Sequence, residues 1–209
     1  MKANPPTSPP LAAARGLEGP ESEAAWIDAA RRGDRQAFGR LVELHQDAVM
    51  TTAYYMAGNR EDAEDISQES FLRAYRALGS FAGQSSFRTW LLTITTNAAR
   101  SHSARRRAKK RSAAEVRIHD GTDDEPIEVP EPDGRSSPDG FAERVELKER
   151  LEGAIAALDE ESRAVIVLRD LAGESYEAIG EALGLPVGTV KSRIHRARLE
   201  LRQRLQDLL

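Results

Sequence analysis

From Glu23 to about Arg111, apolar residues recur at steps of three and four, and the same spacing resumes near Glu143 and runs almost to Leu209. That period predicts amphipathic helices with one buried face each. In the first stretch the pattern is broken only by short punctuation. Gly33-Asp34 ends one short helix and caps the next, Gly58-Asn59 closes the second, and Gly79 and Gly83 separate the third from a fourth that begins near Ser85. Glycine stops a helix by adopting the left-handed backbone, and Asp and Asn cap the one that follows. Between about Ser112 and Ala142 no period survives. Asp120, Asp123, Asp124, Glu125, Glu128, Glu131, Asp133 and Asp139 alternate there with Pro126, Pro130, Pro132 and Pro138, the composition of a flexible acidic linker. Residues 1–22 are rich in Pro, Ala, Ser and Gly and are predicted to be a disordered tail. The fold class expected is all-α, with two small helical domains, 23–111 and 143–209, joined by the acidic linker 112–142.

The sharpest local pattern is Ser175 to Leu205. Ser175 can cap a helix carrying Tyr176, Ile179 and Leu183 on its apolar side, with Ala178 and Ala182 small enough for a second helix to approach. Gly184-Leu185-Pro186 then makes a turn, and a longer helix places Val187, Val190, Ile194, Ala197, Leu201 and Leu205 on one stripe. Its other side holds Thr189, Lys191, Ser192, Arg193, His195, Arg196 and Arg198, with no acid before Glu200. Helix, short turn and helix with a cationic outer face is the arrangement that presents a recognition helix to the major groove. Asp159 caps a preceding helix in which Val165, Ile166 and Leu168 complete a small core.

Charge changes the picture of the first domain. The chain of 209 residues has a formal net charge of −4, which hides how sharply the signs are sorted. In the fourth helix Phe87, Leu91, Ile94 and Ala98 form the buried side, and Thr93, Thr96, Asn97 and Arg100 another, polar one. Arg105, Arg106, Arg107, Lys109, Lys110 and Arg111 follow with no carboxylate between Asn97 and Ser112. Such a run binds phosphate by releasing counterions. The loop Phe81 to Phe87 beside Trp90 offers aromatic faces to unstacked bases, although a place in the core is the more common role of aromatics at helical spacing. The third helix is opposite in sign: Glu61, Asp62, Glu64, Asp65 and Glu69 crowd it, with Asp62, Asp65 and Glu69 on one face. The macrodipole explains acids in the first turn but not Glu69.

Several functions are excluded or made unattractive. There is no cysteine, hence no disulfide or thiolate site. The histidines His45, His102, His119 and His195 are scattered, and no glycine-rich phosphate loop is present, so no catalytic residue, metal or cofactor is expected. No apolar run approaches the roughly 20 residues that span a bilayer, so no membrane insertion is expected and the cytoplasm is the predicted location.

Three segments together resemble the extracytoplasmic-function (ECF) class of bacterial RNA polymerase sigma factors. Asp62-Ala63-Glu64-Asp65-Ile66-Ser67-Gln68-Glu69-Ser70-Phe71-Leu72-Arg73-Ala74-Tyr75 is similar to the family's polymerase-binding helix. Phe87-Arg88-Thr89-Trp90-Leu91 leading to Asn97 is similar to its promoter-melting helix, and Tyr176 to Arg198 to its −35-reading helix-turn-helix. The resemblance implies that Asp62, Asp65, Gln68, Glu69 and Leu72 dock on core RNA polymerase. It implies that Phe81, Phe87, Trp90, Thr93, Asn97, Arg100, Arg105 and Arg106 serve the single-stranded −10 element. Thr189, Lys191, Ser192, Arg193, His195, Arg196 and Arg198 would contact the −35 duplex. An anti-sigma factor is a further partner that the family admits. The rival reading is a helix-turn-helix regulator that binds duplex operators without polymerase, which leaves the acidic helix and the aromatic loop unused. A linker of about 30 residues, at roughly 3.3–3.6 Å each, reaches on the order of 100 Å, enough to serve two separated DNA sites.

Overall fold

The computed structural model describes residues 22–113 and 138–206. The tail predicted at 1–22 lies almost wholly outside them, as does most of the stretch read as linker. All regular structure among the described residues is helical: α1 (Glu23–Arg31), α2 (Arg35–Ala57), α3 (Arg60–Ala77), α4 (Phe87–Ala113), α5 (Pro138–Ala156), α6 (Glu160–Ile166), α7 (Tyr176–Leu183) and α8 (Val187–Arg204). The all-α expectation holds. The helix ends follow the predicted punctuation. Asp34 accepts from the backbone N–H groups of Gln36 and Ala37, Asn59 from that of Asp62, and Ser175 from that of Ala178. Helix α5 starts at Pro138, inside the stretch that showed no helical period, because proline is at home in the first turn, where its missing N–H has no partner to lose.

The chain divides into two compact units, Met1–Leu41 and Val42–Leu209. In the first, Ser22 caps α1 and the Arg40 guanidinium lies over the Trp26 ring at 5.7 Å. In the second, the helices of both halves of the sequence share one core. Ala53 and Met56 of α2, Ala63 and Ile66 of α3, and Ala98 and Ala99 of α4 pack with Ile155 of α5, Ala164 of α6 and Val167. Helix α4 is the hub, packed against both α3 and α7. It therefore buries more than the single stripe read from its period: Leu92, Thr95, Thr96 and Ala99 are buried as well as Phe87, Leu91 and Ala98. Thr96, expected on a polar face, is fully buried, and its hydroxyl donates to the Leu92 carbonyl at 2.9 Å. Back-bonding of this kind lets a threonine enter a core with no unpaired polar atom. Half-buried Thr93, which donates to the Thr89 carbonyl, half-buried Arg100 and exposed Asn97 stay near the surface of that face.

The helix-turn-helix closes as its sequence predicts, with one correction. Gly184 caps α7 in the left-handed region at φ 66°. Ala182 is buried as expected, but the tightest approach, of the turn to α7, is made possible by Gly180 rather than by Ala178. A Cβ on Gly180 would stand 2.8 Å from the Leu185 carbonyl oxygen, whereas half-buried Ala178 lines a cavity beside α4. Gly180→Ala is expected to cost about 1–3 kcal/mol, since backbone has to move to admit a methyl group. A urea titration checks this, and an unshifted midpoint contradicts the close approach.

Candidate nucleic-acid and polymerase interface

Three surfaces bring the predicted site residues together. The first is a groove of about 690 Å³ between α3 and α4. Glu61, Asp62, Asp65, Gln68, Glu69 and Leu72 form one wall; His102, Arg105, Arg106 and Lys109 form the other. Helical spacing lines up the acids, and the long cationic run of α4 faces them. The acids differ in their engagement. Asp62 is tied into the helix cap, accepting from the Asn59 side-chain amide at 2.8 Å, and it pairs with Arg106, while His102 stands 3.6 Å away. Glu69 accepts from Arg73 one turn on at 2.6 Å. That bond, aided by the nearby charges of Arg73, Arg105 and Arg76, holds its carboxyl below the usual carboxylate range. The position the macrodipole did not explain is thus explained locally, by an i,i+4 pair. Asp65, Gln68 and Leu72 are exposed, Leu72 to 51%.

The second surface is the loop between α3 and α4. Phe81, Phe87 and Trp90 form one aromatic cluster with ring centroids 5.1–5.7 Å apart, and His45 stacks on Phe87 at 5.4 Å. Phe81 and Phe87 are buried and hold the loop from beneath; half-buried Trp90 lines a surface cavity with Ser80, Gln84 and Thr93, and an edge of Phe81 reaches the same cavity. Of the two roles the sequence left open for these aromatics, Phe81 and Phe87 adopt the core one. Arg100 stands 3.5 Å from Glu160, and Arg105 and Arg106 are exposed on α4.

The third is the outer face of α8. Lys191, Ser192, His195, Arg196 and Arg198 are exposed; Thr189 and Arg193 are half-buried. Not all of the positive charge there is open to a ligand. Arg193 pairs with Glu161 at 2.6 Å, and Arg198 with Asp170, whose bond raises the guanidinium pKa further. Lys191 and Arg169 both lie over the Tyr176 ring, at 5.5 and 4.5 Å. Ser192 donates to the Thr189 carbonyl.

Sequence reasoning missed Arg88, Arg163 and Glu174. Each is joined to a partner far along the chain, and no local pattern announces such a contact. The described residues contain no group of three or more His, Cys, Asp or Glu placed to hold a metal ion, and no helix long and apolar enough to cross a membrane.

Comparison with known proteins agrees with this geometry. Residues 41–110 match the Sigma-70 region 2 family, and residues 148–201 match Sigma-70 region 4. The chain is 35% identical to the RNA polymerase sigma-H factor of Pseudomonas aeruginosa, over 90% of this chain and 96% of that one. It is 37% identical to the ECF RNA polymerase sigma factor SigW of Bacillus subtilis, over 87% and 96%. Among solved structures, the sigma factor RpoE of Bartonella quintana, in complex with the anti-sigma factor NepR, superposes with a TM-score of 0.64 at 25% identity, covering 81% of this chain and 96% of that one. With both regions present in order and relatives matched along nearly their whole length, the chain belongs to the ECF RNA polymerase sigma factors.

Proposed function

We propose that this protein is a dissociable subunit that binds core RNA polymerase, directs it to a subset of promoters and helps to open them. One observation carries the reading. A single chain holds an acidic helix face with an exposed apolar residue on α3, inside the stretch similar to region 2, and a helix with a cationic outer face, α8, in the stretch similar to region 4. Residues 23–111 serve as the polymerase-binding and −10 domain, 112–142 as the linker, and 143–209 as the −35 domain. Asp65, Gln68, Glu69 and Leu72 dock on core enzyme. Asp62 supports them by fixing the start of α3. Asn97 and the Trp90 side of the loop meet the melted −10 strand. Thr189, Lys191, Ser192, Arg193, His195, Arg196 and Arg198 face the −35 duplex. The protein performs no covalent chemistry of its own and works in the cytoplasm, where core enzyme and chromosome meet. The likeness to a sigma factor solved with its anti-sigma factor supports an inhibitory partner of the same kind.

Transcription in vitro from a promoter library, with core enzyme alone and with core enzyme plus this chain, tests the reading. New start sites appearing only with the chain are the expected result. Identical start sites in both reactions, or operator binding without any association with core enzyme, favour an autonomous regulator instead. Within the same assay Arg193→Ala is expected to weaken promoter use by about 1–3 kcal/mol and to relax preference at one base pair, the signature of a base-edge contact. An equal loss on every sequence would assign Arg193 to a phosphate.

A further inference from the structure

Two arginines of α8 are paired with acids of the segment before the turn, and the two pairs differ in kind. Arg198 grips Asp170 through both Nε and Nη2, which uses the forked edge of its guanidinium. Arg193 meets Glu161 as an ion pair whose closest atoms, Nη2 and Oε2, stand 2.6 Å apart. A guanidinium carries five N–H donors, and one carboxylate can occupy two of them. A pair made through a terminal nitrogen therefore leaves donors for a second acceptor.

The place of Arg193 on the helix makes its direction matter. It stands three residues after Val190 and four before Ala197, both buried, so its stem leaves α8 at the margin of the core. Lys191, Ser192, His195 and Arg196 are exposed on the open face and reach a groove directly. Arg193 reaches one only if its head is drawn outward from that margin. Its side chain is 20% exposed and that of Glu161 53%, so the pair holds the guanidinium at the surface rather than within the core. Fixing so long a side chain at the moment of binding costs affinity, unless it has been fixed beforehand.

Glu161 is itself held. Its backbone N–H donates to the Asp159 carboxylate at 3.0 Å, and that of Ser162 donates to the same oxygen at 2.9 Å. The first turn of α6 is thus a fixed base, and α6 packs on α8. The macrodipole of α6 accounts for an acid in that turn. It does not account for a carboxylate that reaches across to the next helix but one.

We infer that Glu161 is a positioning residue for promoter recognition, holding the Arg193 guanidinium at the edge of the −35 surface before DNA arrives. The inference rests on the −35 role proposed above for Arg193 and adds the group that aims it. An acid that merely repelled the phosphates would have the opposite effect: its removal would strengthen binding on every sequence.

Holoenzyme assembled from core enzyme and the full-length chain provides the test, on a promoter fragment selected in the transcription assay and on its single-base −35 variants. Glu161→Gln keeps the shape of the side chain and removes its charge. It is expected to weaken binding by about two- to tenfold, the range set by ordering one long side chain. It is also expected to flatten preference at the same base pair as Arg193→Ala, which the loss of a merely structural pair would not do. In the Arg193→Ala background Glu161→Gln should cost nothing further, because the glutamate acts only through the arginine. If Arg193→Ala loses equally on every sequence, Glu161→Gln should do so too, and its effect should still vanish in that background. The melting temperature should hold, since so exposed an ion pair contributes little to stability. Unchanged or tighter binding with Glu161→Gln, or a loss of the same size with and without Arg193, overturns the positioning role. Failure of the promoter reading shows separately, in the wild type, as start sites identical to those of core enzyme alone, and would overturn the positioning role with it.

Discussion

Replacing Asp65 and Glu69 together by Arg is expected to weaken binding to core RNA polymerase at least about a hundredfold, or about 2.7 kcal/mol. Both residues line the groove between α3 and α4, with Gln68 between them in sequence and exposed Leu72 beside them. A docking partner for an anionic, apolar-tipped helix is cationic at its complementary surface, and placing like charges opposite each other at an interface costs several kcal/mol. The double substitution should leave the fold intact. Asp65 is exposed, and the Glu69–Arg73 pair it breaks is a partly exposed i,i+4 bridge that contributes little to stability. A pull-down with purified core enzyme reads the effect, and an unchanged melting temperature shows that folding is not its cause. Binding equal to wild type would move the polymerase contact away from this groove.

The largest expected loss of stability comes from Arg163→Ala, at about 3 kcal/mol. The Arg163 guanidinium closes the C-terminal ends of two helices at once. Its Nη1 donates to the Met56 carbonyl at the end of α2 at 3.1 Å. Its Nε donates to Ile155 at 3.2 Å, and its Nη2 to Leu158 at 3.0 Å and to Ala156, around the end of α5. These carbonyls are the acceptors that a helix cannot satisfy internally, at the end where the macrodipole welcomes a cation. Burial pulls the guanidinium pKa down, and the charges of Glu160 and Asp159 oppose that pull. Hydrogen bonds from a charged donor contribute about 1.5–3 kcal/mol each and do not add fully, so losing the set leaves several carbonyls unpaired for about one strong bond's net effect or more. For a chain of this size the melting temperature should fall by about 6–12 °C. Arg163→Lys should recover little of it, since a point charge cannot span both helix ends. A fall of less than about 2 °C would show that solvent replaces the guanidinium without loss.

The helices and their ends were legible in the sequence because they are set by neighbours within four residues. Asp34, Asn59, Asp159, Ser175 and Gly184 sit where caps must sit, and the structure uses each of them so. Burial across helices was less legible. The period of α4 announced one apolar stripe, yet the helix is packed on two sides, which draws Thr95 and Thr96 into the core. Phe81 and Phe87 were open to either a base or a core, with core the commoner role at their spacing, and the fold buries both. Glu174 and Arg163 were invisible because their partners lie across the molecule: Arg88 is 86 residues from Glu174, and Met56 is 107 from Arg163. Surface roles were legible as chemistry but not as availability. Arg193 reads as a DNA contact from its place on α8, while its engagement by Glu161 depends on how α6 is set beside it.

The core that joins Met56, Ile66 and Ala99 to Ile155, Ala164 and Val167 has a bearing on how such a protein can be improved. Residues far apart in the chain meet there, so a methyl group added at Met56 or Ile66 needs matching room at Ile155 or Val167, and gains in heat resistance sought on the two sides will not simply add.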